Sequence, residues 1–288
     1  MVQNMQKTIA NKINFKGVGL HSGKDVNISI LPAVENSGIK FVRTDLGNVE
    51  LQALYSNIVD TRNCSCLGDK NGNIVSTVEH IMSAFHSFGI DNAIVEIDGP
   101  EFPILDGSSL PIVEELKKTG TKSLQKNKKA LKVLKKVSFD DGKGATAVIE
   151  PANADLEVNF EIDFPSKIIG KQHFTTKVNK DIFIDEVSSA RTFCQKFEID
   201  ALKDMGLIKG GSLDNALVFD NEDILNEDGL RFQNECVRHK TLDAIGDLYL
   251  SGYTLIGKYT GVKSGHFHSV ELLKKLFADD TNYEIVDL

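Results

Sequence analysis

The chain has 288 residues, 41% hydrophobic and 26% charged, with a formal net charge of −8. Length and composition describe a globular protein of one large domain or two ordinary ones, and the acidic balance argues against a general nucleic-acid binder, which needs a basic face to neutralise phosphates. No stretch approaches the roughly 20 apolar residues that span a bilayer, and the N-terminal MVQNMQKTIANKINF lacks an apolar signal core, so a soluble, at most membrane-peripheral, protein is expected.

The first half opens on GVGLHSGKDV and short alternating runs such as VNISIL (26–31), which predict strands separated by glycine turns. Four cysteines occur in the chain, beginning with Cys64 and Cys66 and followed by Cys194 and Cys236. They are too few for a disulfide framework at this size, which predicts reduced thiols and a cytoplasmic setting. STVEHIMSAFHSFG (76–89) predicts a helix: Ser76 or Thr77 can cap it, Val78, Ile81, Met82 and Phe85 recur at helical spacing, and Gly89 stops it. NAIVEIDG (92–99) predicts a strand, and PIVEELKKTG a short helix from Pro111 to Gly120.

Residues 117–136 hold nine lysines and no acid, which leaves −17 on the rest of the chain. This run reads as a solvated linker with a strand start at its end, and as the boundary between two domains, 1–125 and 126–288. A patch for anionic lipid or a diphosphate is the alternative. Beyond it, LEVNFEIDF (156–164) alternates apolar and polar residues and predicts a half-buried strand. A helix over 195–207, a turn at GGSLDN, a helix over 236–252 stopped by Gly252, a strand over 253–259 and a last helix after Gly265 complete the chain. Helix, glycine stop and apolar strand thus recur at 76–98 and 236–259, which suggests two copies of one α+β unit. Strands grouped ahead of helices favour antiparallel sheets.

Three constellations can carry chemistry. In HKTLD, His239 and Asp243 share a helix face, so an imidazole and a carboxylate can converge on a Zn²⁺ that keeps one position for water. Glu79 beside His80 offers a carboxylate base next to a ligand. His266, after Gly265 in KSGHFH, sits where a strand-to-helix turn exposes its ring as a proton donor, and Asp247 shares the face of Asp243 and can hold that ring charged. Taken singly, each reads at least as well as ordinary polar residues on a solvated helix face or helix end. HExxH is absent, HxxEH fails because Ser76 stands where a histidine is required, and P-loop, GxGxxG and GxSxG signatures are missing.

The segments GVGLHSG (17–23), DTRNCSCLG (60–68), STVEHIMSAF (76–85), GIDNAIVEIDGPEFPILDGSS (89–109), SARTF (189–193), GGSLDNALVFD (210–220), RFQNECVRHKTLDAIGDL (231–248) and KSGH (263–266) resemble the UDP-3-O-acyl-N-acetylglucosamine deacetylases of lipid A biosynthesis across nearly the whole chain. The resemblance implies an α+β fold of two similar two-layer sandwich domains, each with a small insert and the active site between them. It implies Zn²⁺ held by His80, His239 and Asp243, with Fe²⁺ as the alternative occupant. Glu79 would be the base on the attacking water and His266 the acid, with Asp247 behind it. Thr192 would steady the oxyanion and Lys240 would contact the substrate's polar head. Phe193, Ile199 and Ser212 would line a passage for the acyl chain, with Cys64 near the metal. The implied substrate is a small molecule, an acylated UDP-amino sugar, and the implied state a cytoplasmic monomer that touches a membrane at most peripherally. His268 departs from the family pattern and competes with His266 for the acid role. A zinc peptidase or other amidase, or a non-catalytic sugar-nucleotide or lipid-binding protein, are the rival readings.

Overall fold

A computed structural model describes residues 4–288. One order of elements occurs twice. In the first half, strands Ile13–Val18, Asp25–Pro32, Ile39–Arg43 and Val49–Gln52 precede helix α1 (Glu79–Phe88), strand Ala93–Ile97 and helix α2 (Leu110–Thr119). The second half repeats this with strands Val137–Asp140, Thr146–Glu150, Leu156–Asp163 and Lys171–Lys177. A one-turn helix α3 (Lys180–Ile182) and helix α4 (Lys196–Asp204) come next. They lead to the long helix α5 (Glu235–Tyr249), strand Thr254–Val262 and helix α6 (His266–Phe277).

Sheet order repeats as well. The first sheet runs Ile13–Val18, Asp25–Pro32, Ala93–Ile97, Ile39–Arg43, Val49–Gln52. The second runs Val137–Asp140, Thr146–Glu150, Thr254–Val262, Leu156–Asp163, Lys171–Lys177, and is extended by Lys129–Val133 and Tyr283–Asp287. In both, the strand that follows the central helix lies antiparallel to the second strand and parallel to the third. The expectation of antiparallel sheets holds for most strand pairs, but both sheets are mixed, each with parallel pairing at the strand that follows the central helix. The chain returns through a helix, and a helical crossover delivers a parallel neighbour. Each half also carries a small three-stranded insert between its fourth strand and its central helix: Ile58–Asp60, Cys66–Gly68 and Ile74–Val75 in the first, Phe193–Gln195, Leu217–Asp220 and Asp223–Ile224 in the second.

The strand Leu156–Asp163 buries Leu156, Val158, Phe160 and Ile162 and turns Asp163 to solvent, as its alternation predicts. The lysine-rich run, expected as a linker with a strand start at its end, is instead the last turn of α2 followed by two strands. Thr121–Asn127 pairs with Met5–Ile9, and Lys129–Val133 enters the second sheet beside Thr254–Val262. Its charge is partly neutralised from distant segments, by Lys128–Asp91 at 3.0 Å, Lys132–Glu284 at 3.0 Å and Lys136–Glu150 at 3.2 Å.

Helix α1 buries all of its residues, and Gly89 closes it in a left-handed turn at φ 67°. It packs directly on α5. A Cβ at Gly246 would stand 2.1 Å from the carbonyl oxygen of Glu79, so only glycine permits this approach. Helix α5 lies on Leu156–Asp163 and Lys171–Lys177, and α6 on Val137–Asp140 and Thr146–Glu150. The α1–α5 contact is thus the seam of the molecule. It brings the first turn of α1 against the middle of α5.

Candidate active site

Neither Ser76 nor Thr77 caps α1. Val78 occupies the cap position without a side-chain bond, and Thr77 adopts φ 59° while its hydroxyl donates to Oε1 of Glu101 at 3.1 Å. A left-handed backbone is strained for a β-branched residue, at a cost of about 1–3 kcal/mol. The buried Glu101 carboxylate holds it there and also accepts the backbone N–H groups of His21 and Ser22, at 2.8 and 2.6 Å. This sharp turn sets Glu79 and His80 as the first two residues of α1, facing α5.

From α5 come His239, Lys240, Asp243 and Asp247. Asp243 and His239 share a helix face as their spacing predicts, with Oδ1 of Asp243 3.4 Å from Nε2 of His239 and 3.7 Å from Nε2 of His80. The two imidazole rings meet edge to face, with centroids 5.1 Å apart. One atom from each of these three residues lies within 4.8 Å of the other two, so together they can hold a metal ion. Glu79, Asp243 and His266 meet the same test and overlap that group.

The electrostatics fit a cation. Oδ1 of Asp243 is buried without a hydrogen-bond partner among the described residues, while Oδ2 accepts from Nζ of Lys240 at 2.8 Å. Burial alone would raise the Asp243 pKa, but His239, Lys240, His266 and His80 outweigh it and lower it, and near pH 7 the charges of Lys240 and His266 keep the carboxyl ionised. Burial, then the neighbouring His239, pushes His80 down to about 3, and burial also lowers His239. Both rings are neutral near pH 7, with nitrogen lone pairs free to ligate. Nδ1 of His239 is engaged by the carbonyl of Ala190 at 3.0 Å, which directs Nε2 at Asp243. An orphaned carboxylate oxygen facing two neutral imidazoles is the donor set of a divalent metal.

Glu79 and His266 face each other beside this group, with Nε2 of His266 3.8 Å from Oε1 of Glu79. His266 opens α6 directly after Gly265. Its ring is buried, not exposed to bulk solvent as expected, and reaches only the cavity. Nδ1 bonds Oδ2 of Asp247 at 3.0 Å. Burial opposes charge on this ring, yet Asp247 and then Glu79 push its pKa up to about 9. Burial, with further help from Asp243 and Asp247, raises Glu79 to about 8 against the pull of His266. Ser65 ties the two carboxylates together. Its N–H donates to Glu79 at 3.0 Å and its hydroxyl to Asp247 at 2.6 Å. His268 also lines the cavity, but its ring nitrogens are engaged by other groups: Nδ1 accepts from the N–H of Gly265 at 3.3 Å and Nε2 lies 3.4 Å from Asp141.

A cavity of about 1010 Å³ opens over these groups. Glu79, His80, His239, Asp243, His266, Lys240, Thr192, Phe193, Ile199 and Ser212 all line it. Its outer wall is built by the second insert, where α4 buries no residue and Phe197 and Met205 stand exposed. Asp247 and Cys64 lie behind the lining. Cys64 is buried near Glu79, and burial, with the charge of Glu79, raises its thiol pKa well above the usual range. Sequence reasoning missed Ser65, Glu101, Arg191 and Glu235, which hold the site's loops. It also missed His21, Thr61 and Asn63, which line the cavity from the first half. GVGLHSG and DTRNCSCLG contain four of these residues, but local spacing assigns them no partner.

Fold and site together define a metal-dependent hydrolase of two α+β halves. The family model for UDP-3-O-acyl N-acetylglycosamine deacetylase (LpxC) matches residues 6–278. The chain is 45% identical over 281 residues to the UDP-3-O-acyl-N-acetylglucosamine deacetylase of Anaeromyxobacter dehalogenans, covering 98% of this chain and 90% of that one. It is 42% identical to the corresponding deacetylase of Pasteurella multocida (98% and 92% covered) and 40% identical to that of Aliarcobacter butzleri (98% and 93% covered). The chain belongs to the UDP-3-O-acyl-N-acetylglucosamine deacetylase family. No helix among the described residues is long and apolar enough to cross a membrane.

Proposed function

We propose that this chain hydrolyses the N-acetyl group of UDP-3-O-(3-hydroxyacyl)-N-acetylglucosamine and releases acetate, the committed step of lipid A biosynthesis. The observation that carries this reading is the convergence of His80, His239 and Asp243 with the facing pair Glu79 and His266 in the wall of one large cavity. Zn²⁺ is the metal we assign to His80, His239 and Asp243, with Fe²⁺ as the alternative, because two imidazoles and a carboxylate suit either. When bound, the metal polarises the acetamide carbonyl and acidifies a water molecule, to a pKa of about 7 in the best-known zinc enzymes.

Glu79, its raised pKa lowered by a cation held by His80, His239 and Asp243, is left ionised to take the proton of the attacking water. Thr192, at the cavity wall, steadies the negative oxygen that develops on the acetamide. His266 gives its proton to the departing amine nitrogen, and Asp247 keeps that ring charged until it does. Lys240 contacts the polar head of the substrate. Phe193, Ile199 and Ser212 wall the acyl passage, and Cys64 packs behind Glu79.

We divide the chain at 125/126. Strand pairing supports the division to within a few residues: Thr121–Asn127 pairs with Met5–Ile9, whereas Lys129–Val133 belongs to the second sheet. Four unpaired cysteines accord with a cytoplasmic setting.

Acetate release measured on the acylated UDP-sugar and on N-acetylated peptides tests the reading. We expect release from the nucleotide sugar alone. Glu79→Gln should keep the metal yet lower turnover by a factor on the order of 10² or more. Peptide cleavage, or a Glu79→Gln enzyme of near-normal rate, would contradict it.

A further inference from the structure

The peptide unit between Ala190 and Arg191 is gripped at both of its polar groups. Its carbonyl accepts from Nδ1 of His239 at 3.0 Å, and its N–H donates to Oε1 of Glu235 at 3.0 Å. Glu235 and His239 lie one turn apart on α5, so both grips come from one helix face. Glu235 is 0% exposed, and both of its oxygens have further donors. Oε1 also accepts from Nε of Arg191 at 2.9 Å, and Oε2 accepts from the backbone N–H of Arg231 at 2.6 Å. Arg191, 3% exposed, spends its remaining donors on Asp228 at 2.8 Å and on the carbonyl of Gly229 at 2.6 Å.

A buried ion pair adds little net stability over a well-packed apolar pair, so stability alone does not explain this arrangement. Orientation does. The partner at one ring nitrogen of a histidine decides which nitrogen carries the proton. A peptide carbonyl at Nδ1 puts the proton there and leaves Nε2 as a lone pair. If the peptide turned over, its N–H would face Nδ1, and the proton would move to Nε2 and exclude a cation.

We infer that Glu235 and Arg191 are positioning residues for the metal site. By fixing the 190–191 peptide they select the His239 tautomer whose Nε2 can ligate. This rests on the metal-site reading above.

Two double variants separate positioning from general structure, because both remove the charge pair. Arg191→Met with Glu235→Gln keeps an acceptor for the peptide N–H, whereas Arg191→Met with Glu235→Leu removes it. The readout is the zinc dissociation constant by chelator competition, alongside the thermal midpoint. The leucine variant should bind zinc about 10- to 100-fold more weakly than the unmodified protein, and the glutamine variant within about three-fold of it. Equal affinities for the two variants would overturn the inference, as would losses that only track their thermal midpoints. Should the leucine variant not fold, nitrogen-15 NMR of the unmodified, metal-free protein decides: a proton on Nδ1 of His239 supports the clamp, and one on Nε2 refutes it. His239→Ala separates the two levels of argument. If it leaves zinc affinity unchanged, the metal-site reading fails and takes the clamp with it. Affinity that depends on His239 but ignores Glu235 refutes the clamp alone.

Discussion

At His266 burial and two carboxylates pull in opposite directions. Burial disfavours the charged ring, and Asp247 at 3.0 Å, followed by Glu79, overcomes it and raises the pKa to about 9. A raised pKa keeps the proton on the ring through neutral pH and releases it only as pH climbs past that value, so the acid role should fail on the alkaline side of the rate profile. Asp247→Asn removes the strongest charge that favours the proton. We expect the alkaline limb of kcat to move down by at least about one pH unit with metal content unchanged; a limb that stays in place would remove Asp247 from this role. Some of this was legible in the sequence. His239 and Asp243 are four residues apart on one helix, so their convergence follows from helical geometry. Ser65 was not legible, because the residue it bonds, Asp247, lies 182 positions away. The same holds for Arg191 and Glu235, 44 positions apart. Such partners are set by how the halves pack, which no local pattern records.

Helices α1 and α5 touch at a point where neither can yield. The carbonyl of Glu79 occupies the space a side chain at residue 246 would need, so Gly246→Ala must push the helices apart or bend one of them. Overpacking of this kind costs about 1–3 kcal/mol. Because the displaced atom belongs to Glu79, the variant should lose activity at temperatures where it is still folded. Denaturant unfolding together with acetate release checks this, and a variant of unchanged stability would show that the seam is looser than described. Among the elements, strand Leu156–Asp163 and the glycine stop of α1 followed from alternation and from the conformational freedom of Gly89. Three features did not. Thr77 has the chemistry of a helix cap but gives its hydroxyl to Glu101. The lysine run looked like linker because it is polar, yet backbone pairing and acids from far along the chain make it strands. The parallel pairings arise from crossovers, which alternation along a single strand cannot reveal.

Across the whole molecule, two copies of one strand–helix order meet at α1 and α5, and that seam should govern acid stability as well as chemistry. His86 sits near it, edge-on to Tyr249 at 5.0 Å, with no hydrogen-bond partner at either ring nitrogen among the described residues. Burial, then Lys128, holds its pKa down to about 3 against an ordinary 6.5. Between these values the unfolded chain takes up a proton that the folded one refuses. Stability is therefore full above 6.5 and falls toward 3, by up to about 1.4 kcal/mol per pH unit for this single group. His86→Leu should flatten that slope, as read from urea midpoints at about pH 7 and about pH 4.5; parallel losses in both proteins would assign the acid sensitivity elsewhere. A metal at the seam, held from both halves, is the expected arrangement. Anomalous diffraction at the zinc edge, on crystals of the zinc-reconstituted protein, tests it most directly. A single peak about 2.0–2.2 Å from Nε2 of His80, Nε2 of His239 and Oδ1 of Asp243 is the predicted result, and a peak whose protein ligands all come from one half would contradict it.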